Sequence, residues 1–320
     1  MTRYGIIDLG SNTIRLCIYD VNCSSRSPLQ KKDIQTLLNY KVMAGLASHV
    51  KDGIMSERGI KKAIKTINEH LEHASHFSCS RIDIFATAVL RNCNNSIQAT
   101  SAIETGIDKR ITLLSNEEEA HLGYLGACLD TTICNGTMID IGGGSTELTR
   151  IEDGFDLNKV SLAQGSLSSF AHHVKGVLPH QEEMDAIAKA FRDLWNAHIA
   201  DEYASSQLYG IGGAIRSAAK VYGDLCNKGD RLDYLIPEHI EMLLQRYITN
   251  PDVFAHEALR TIPDRIHTFI PGCILIQELF ILCKAQRLDI CKFGIREGYL
   301  AERILVRPIA NPKAPNQSRS

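Results

Sequence analysis

Five short segments carry residues whose types and spacing could do chemistry. In Asp8-Leu9-Gly10-Ser11-Asn12-Thr13, an acid closes an apolar run and a turn of small donors follows. Such a glycine turn exposes backbone N–H groups, and with the Ser11, Asn12 and Thr13 side chains it can cradle a phosphate. The same residues also suit a plain hairpin turn. Asp8 cannot donate to a phosphate, but it could hold a divalent cation or a water. The second segment is Asp140-Ile141-Gly142-Gly143-Gly144-Ser145-Thr146-Glu147. Each glycine in a strand interior costs roughly 0.5–1 kcal/mol, so three in a row are poor choices for stability alone. Their use is close backbone approach to a ligand, while Asp140 and Glu147 offer hard oxygens suited to Mg²⁺. In Tyr209-Gly210-Ile211-Gly212-Gly213-Ala214-Ile215-Arg216, a strand runs into a helix whose N–H groups would point at an anion. The pattern is not GxGxxG and lacks the spaced acid of a dinucleotide site. A tight strand–helix turn accounts for it equally.

The fourth segment is Leu114-Ser115-Asn116-Glu117-Glu118-Glu119-Ala120. Ser115 and Glu118 have capping-box spacing, and acids at a helix start suit the macrodipole. Glu119 lies about 100° further round the helix than Glu118. It is therefore free to face a cleft as a general base. The fifth runs from Ala86 to Asn95, a strand end and a polar turn, where Arg91 could clamp phosphate oxygens bidentately. An Asn-rich helix cap is the plainer reading.

The elements that must position these residues are readable from periodicity. Tyr4 to Asp8 and Thr13 to Tyr19 form a hairpin, with Leu37 to Val42 a third strand. Ser56 to Phe77 has helical spacing, Ile82 to Ala86 and Ile111 to Leu114 are strands, and Asn95 to Thr105 and Ser115 to Leu129 are helices. Thr137 to Asp140 and Thr146 to Ile151 then repeat the opening theme of strand, terminal Asp, glycine turn and strand. Helices are expected over Gln181 to Tyr203, Ala214 to Tyr222, Pro237 to Tyr247 and Pro271 to Ala285. Alternating strands and helices give an α/β protein with two similar halves.

Composition narrows the function. The 320 residues include 35 Lys and Arg against 37 Asp and Glu, a net charge of −2. That balance gives no global reason to bind duplex nucleic acid or a membrane, so any polyanion site must be a local concentration of donors. The ten cysteines are scattered without a CxxC pair, which reads as reduced thiols. No apolar run before Asp8 is long enough for a signal peptide, and Phe269 to Cys283 is too short and interrupted to span a bilayer, so a cytoplasmic protein is expected. His70, His73 and His76 read as a solvated helix face rather than a zinc site, and neither a GxSxG elbow nor a GxxxxGK[ST] loop occurs.

DLGSNTIRL, ATAVLRNCNN, LSNEEEAHL, DIGGGSTEL, YGIGGAIR and FGIREG occur in that order. Together they resemble the exopolyphosphatase and guanosine pentaphosphate phosphohydrolase family, Ppx/GppA, over about residues 4 to 305. That family belongs to the actin, sugar-kinase and Hsp70 superfamily. The resemblance implies two RNase H-like domains with an interdomain cleft. The expected divisions are residues 1–126 with a helix at 297–307 packing back on them, 127–296 with helical insertions, and a disordered tail at 308–320. It implies Mg²⁺-dependent (or Mn²⁺-dependent) hydrolysis of a terminal phosphoanhydride. Glu119 matches the catalytic glutamate and Arg91 the phosphate-contacting arginine. Asp8, Asp140 and Glu147 match the metal-binding acids. Phosphate contacts are then expected from Gly10, Ser11, Asn12, Thr13, Asn95, Gly142, Gly143, Gly144, Ser145, Gly212, Gly213 and Arg216.

Met43 and His267 depart from the family pattern, standing where a basic residue and an Asp are common, and bear on substrate preference. The extra C-terminal helical domains of long members are absent from this sequence, which favours short chains or a nucleotide. Inorganic polyphosphate is the expected substrate and guanosine pentaphosphate the alternative. A superfamily kinase and a non-catalytic phosphate sensor are the readings from other classes. A homodimer is expected because the family often dimerises.

Overall fold

The computed structural model describes residues 1–22, 28–199, 201–226, 229 and 232–309. They fall into two compact units, Met1–Leu129 joined by the segment from Ile295, and Asp130–Gly294.

The first unit opens with an antiparallel meander of β1 (Thr2–Leu9), β2 (Thr13–Val21) and β3 (Ile34–Met43). A small ribbon follows, β4 (Val50–Lys51) with β5 (Ile54–Met55), then helix α1 (Glu57–Ser75). Next come β6 (Arg81–Ala86), α2 (Ala88–Arg91), α3 (Ser96–Ile107), β7 (Thr112–Leu113) and α4 (Asn116–Asp130). The sheet order is β3-β2-β1-β6-β7, with β6 parallel to β1 and β7 parallel to β6. A strand covered on both faces reads as an apolar run. Ile6, Ile7 and Leu9 of β1 are accordingly fully buried. Helix α1 is capped by Ser56, whose side chain accepts from the Gly59 N–H, and Ala63, Ile67 and Ala74 face the core.

The second unit repeats the plan. Strands β8 (Gly136–Ile141), β9 (Thr146–Glu152) and β10 (Phe155–Leu162) form an antiparallel meander, followed by α5 (Ser166–His173) and α6 (Gln181–His198). After them come β11 (Gln207–Ile211), α7 (Gly213–Cys226), β12 (Tyr234–Leu235), α8 (Pro237–Thr249), α9 (Pro251–Thr261), α10 (Ile266–Leu282) and β13 (Arg287–Ile290). The order β10-β9-β8-β11-β13-β12 is the first sheet's order with one short antiparallel strand added at the edge. The RNase H-like pattern therefore occurs twice.

Helix α10 starts at Ile266, five residues before the expected start at Pro271. Proline favours the first helical position, but here it sits inside and forfeits one backbone bond. The burial of Phe269, Ile270, Ile274, Leu275 and Ile276 in the unit's core offsets that loss. Among the described residues, no single helix is long and apolar enough to cross a membrane.

After β13 the chain returns to the first unit as α11 (Ile295–Tyr299), which runs into a π-helical turn over Leu300–Ile304. Tyr299 packs on Phe85 with ring centroids 5.0 Å apart. Disorder was expected from Pro308, yet the Pro308 carbonyl accepts from the Leu29 N–H at 2.7 Å and Ile309 bridges Leu29. The rest of that tail, residues 310–320, lies outside the described residues. The described cysteines are free thiols.

Candidate active site

The β1–β2 turn closes on a bond from the Gly10 N–H to the Thr13 carbonyl, 3.0 Å. The Ser11 and Asn12 carbonyls accept from the N–H groups of Ala47 and Gly45, at 2.9 and 2.8 Å, at the 3₁₀ turn after β3. In a trans peptide the C=O and N–H point opposite ways. Anchoring those two carbonyls therefore turns the N–H groups of Asn12 and Thr13 to the other side. Across the hairpin Asp8 faces Arg15. Arg296 of α11 donates from Nη1 to Asp8 Oδ2 at 2.9 Å, and both side chains are largely buried. Asp8 was expected to ligate a metal; it is instead bound by a guanidinium. Beside it, Tyr19 donates to Glu297 Oε1 at 2.6 Å, and burial pushes the Tyr19 hydroxyl well above its usual pKa. Met43 stands opposite Thr13 in the β2–β3 register.

Helix α4 carries Glu119. The capping box forms as the spacing predicts: the Glu118 N–H donates to Ser115 Oγ and the Ser115 N–H to Glu118 Oε2, at 3.1 and 2.9 Å. Glu118 Oε1 also accepts from Arg303. Glu119 points elsewhere, as its position round the helix requires. Its Oε2 accepts from Arg91 Nη1 at 2.7 Å, and that nitrogen also donates to the Leu114 carbonyl at 2.9 Å. Both side chains are mostly shielded, 13% and 14% exposed, so water screens the pair little. Arg91 Nε and Nη2 are buried with no protein partner. A guanidinium with unsatisfied buried donors beside a carboxylate is poised for a bidentate oxyanion.

In the second unit the Gly142 N–H donates to the Ser145 carbonyl at 2.9 Å. The Gly142 carbonyl accepts from Ser166 N–H, and the Gly143 carbonyl from Leu167 and Ser168 N–H, all at the N-terminus of α5. The N–H groups of Gly143 and Gly144 are thereby turned away from α5. A Cβ on Gly165 would come within 2.6 to 2.7 Å of the backbone of Gly142, Gly143 and Ser145, so the helix can brace the loop only because residue 165 is glycine. Ser145 Oγ donates to Glu147 Oε1 at 2.6 Å, and Ser161 Oγ donates to the same oxygen at 2.9 Å. Asp140 faces Glu147 across the hairpin.

Gly212 has φ +94° and lies so close to the Asp140 carboxylate and the Ile141 carbonyl that a side chain would collide. A Cβ on Gly213 would meet the Arg265 guanidinium at 2.5 Å. Burial pulls the Arg265 pKa below its usual value, opposed by Asp264. Sequence reasoning overlooked Arg265 as a site residue because nothing in the chain around it marks a site. His267 packs edge-on against Phe170, and burial, then Arg265, lowers its pKa.

Two residues expected as phosphate contacts make hydrogen bonds within the protein. Arg216 donates from Nε to the Gly212 carbonyl and from Nη1 to the Lys292 carbonyl, both at 2.9 Å, so it braces its own loop. The Asn95 amide both accepts from the Met55 N–H and donates to the Met55 carbonyl, at 2.9 and 3.0 Å, which ties α3 to β5.

The donor set can be tested against a divalent cation. Residues directly opposite in an antiparallel pair have Cβ atoms about 4.5–5.5 Å apart, and like charges there repel. Asp140 and Glu147 occupy such positions, which suits an ion with hard oxygen preference. Asp8, held by Arg296, does not fit. Among the described residues no group of three or more His, Cys, Asp or Glu side chains is gathered into a ready-made site.

Comparison with known proteins identifies the family and the fold. The model of the Ppx/GppA phosphatase family matches residues 27–306. The chain is 27% identical to a guanosine-5'-triphosphate,3'-diphosphate pyrophosphatase of Pseudoalteromonas atlantica over 93% of its length, and spans 58% of that longer relative. It is 24% identical to exopolyphosphatase 1 of Mycobacterium tuberculosis, covering 94% of this chain and 88% of the relative. Its fold is that of an exopolyphosphatase from Cytophaga hutchinsonii, with TM-score 0.81 at 18% identity over 96% and 99% of the two chains. The Ppx/GppA family member of Aquifex aeolicus gives TM-score 0.75 at 19% identity over 95% and 98%. The chain belongs to the Ppx/GppA phosphatase family.

Proposed function

We propose that the protein hydrolyses the terminal phosphoanhydride of inorganic polyphosphate. The observation that carries this reading is the Arg91–Glu119 pair at 2.7 Å with two Arg91 nitrogens still unsatisfied. Glu119 orients a water and accepts its proton at a carboxylate oxygen as the water attacks phosphorus in line. Arg91 takes phosphate oxygens with Nε and Nη2. An arriving phosphate also competes for Nη1, and so loosens the ion pair that restrains Glu119 in the free protein. In the same unit the N–H groups of Asn12 and Thr13 supply further donors; the second unit offers donors of the same kind at Gly143 and Gly144, with the Arg265 guanidinium behind Gly213. Asp140 and Glu147 would hold Mg²⁺ or Mn²⁺, which when bound neutralises charge on the phosphate oxygens.

Guanosine pentaphosphate is the second reading, supported by the similarity to the Pseudoalteromonas pyrophosphatase. The test is phosphate release from polyphosphate, guanosine pentaphosphate and ATP with Mg²⁺, for the wild type and Glu119→Gln. The variant should lose at least about 10²-fold in kcat, and because it leaves Arg91 without its shielded partner it should also melt lower, so turnover is compared at a temperature where both proteins are folded. Unchanged turnover would remove Glu119 as the base, and a phosphorylated acceptor in place of free phosphate would indicate a kinase.

A further inference from the structure

We infer that Glu302 and Arg303, on the π-helical turn of the returning segment, are positioning residues for Glu119. They hold the first turn of α4 in place while the phosphate draws Arg91 away from the carboxylate. The inference rests on the reading of Glu119 as the base.

Glu119 is the fourth residue of α4, which begins at Asn116. The first four N–H groups of a helix have no intrahelical partner, so that turn keeps its place only through what else binds it. Here it is bound from two sides. Glu118 Oε2 completes the capping box, and Glu118 Oε1 accepts from Arg303 Nη2 at 2.9 Å. Arg303 Nε also lies 2.9 Å from Glu302 Oε1, and Glu302 Oε2 lies 2.9 Å from His121 Nε2. Glu118 and His121 are three residues apart on α4 and so are neighbours on its surface. The four side chains therefore close a ring on the helical turn that carries the base.

The backbone beneath the ring brings it together. The Leu305 N–H donates to the Leu300 carbonyl, five residues back, at 2.9 Å. Such a wider turn separates successive side chains by a smaller angle, and both Glu302 and Arg303 face α4. A Cβ on Gly298 would run into the Leu122 carbonyl and lie 3.1 Å from the Gly126 nitrogen, so the returning segment rests directly on the α4 backbone. The charged groups are each about a third or more exposed, and isolated pairs of that kind add little stability. Their effect is on where the first turn of α4 sits. Once phosphate takes the Arg91 donors, Glu119 is oriented by its helix alone, and a displacement of about 1 Å at such a group costs about 10²-fold.

The test is a double-mutant cycle on polyphosphate hydrolysis with Mg²⁺ in the full chain. Arg303→Met should lower kcat by about tenfold and leave KM within about twofold. Added to Glu119→Gln, the same change should lower kcat by less than about twofold, because the group it positions is already gone. Arg303→Lys, which keeps the charge but not both donors, should recover part of the loss. Glu118→Gln can still cap the Ser115 N–H but loses its charged contact with Arg303, and it should show the same loss in kcat alone. Wild-type kcat in Arg303→Met and Glu118→Gln, with Glu119→Gln impaired, overturns the inference and leaves the base standing. A tenfold loss in both backgrounds, or a raised KM at unchanged kcat, also overturns it, since Arg303 would then act through other groups. Wild-type turnover in Glu119→Gln overturns the reading of the base and the inference with it.

Discussion

Asp8 looks across its hairpin at Arg15, while Asp140 looks across its own at Glu147. The backbone of the two turns is otherwise built alike. Each turn closes on a glycine N–H, and each has its loop carbonyls anchored by the N-terminus of a helical turn that follows the third strand. The loops after the next parallel strand also match in place and differ in use. Arg91 meets a carboxylate, whereas Arg216 meets two backbone carbonyls. A duplicated scaffold thus keeps its backbone donors in both copies and divides the charged work between them by single substitutions at equivalent places.

The largest effect should come from the two arginines. Arg91→Ala should lower kcat/KM by about 10²-fold or more, the scale seen when one oxyanion donor is removed. Arg216→Ala should act chiefly on stability, lowering it by about 1.5 kcal/mol in urea melts. Equal losses of activity, with Arg216→Ala melting like the wild type, would erase the contrast. Next come the two bracing glycines. Gly165→Ala forces a Cβ into loop backbone and should cost about 3 kcal/mol. Gly45→Ala has room, with nothing nearer than Ser48 Oγ at 4.0 Å, and should cost only the left-handed penalty of about 1 kcal/mol at φ +58°. Denaturant midpoints of the two variants check the ranking.

The smallest effect concerns pH. His70, expected on a solvated helix face, is instead fully buried behind the first hairpin, where it meets the Ile14 carbonyl through Nε2 at 3.1 Å. Burial lowers its pKa below the usual 6.5, with the carbonyl opposing. Below pH 6.5 the unfolded chain takes up a proton that the folded chain refuses, so stability should fall as the solution is acidified. Melts between about pH 7 and pH 5 should show this slope, and His70→Gln should flatten part of it. An identical slope in both would assign it to other groups.

Much of this was legible in the sequence, because buried strands and amphipathic helices leave strong periodicities. β1, β2, α1 and the β8–β9 hairpin fall where the patterns put them. Strand β10 and helix α5 escaped notice for physical reasons. β10 carries Asp156, Asn158 and Lys159 across a register break, and α5 is a short run of Ser and His with no apolar stripe. Their importance lies in what their backbone does for the Gly142–Gly143 loop, and backbone bracing has no composition signal. The capping arithmetic at Ser115 separated Glu119 from the capping Glu118, but the Glu119 partner Arg91 lies 28 residues away, and only the fold brings them together. The same limit explains Arg216 and Asn95, since a side chain's type announces donors without announcing where they point.

The return of residues from Ile295 onward to the first unit has a consequence for how the protein is made. Domains usually fold in order as they leave the ribosome. Here the leading half reaches the exit tunnel first, yet lacks Arg296, Glu297 and Tyr299 until all of Asp130–Gly294 has been translated. Its buried Asp8 and Tyr19 must wait for those late-arriving partners, so the trailing half is free to mature before the leading half does.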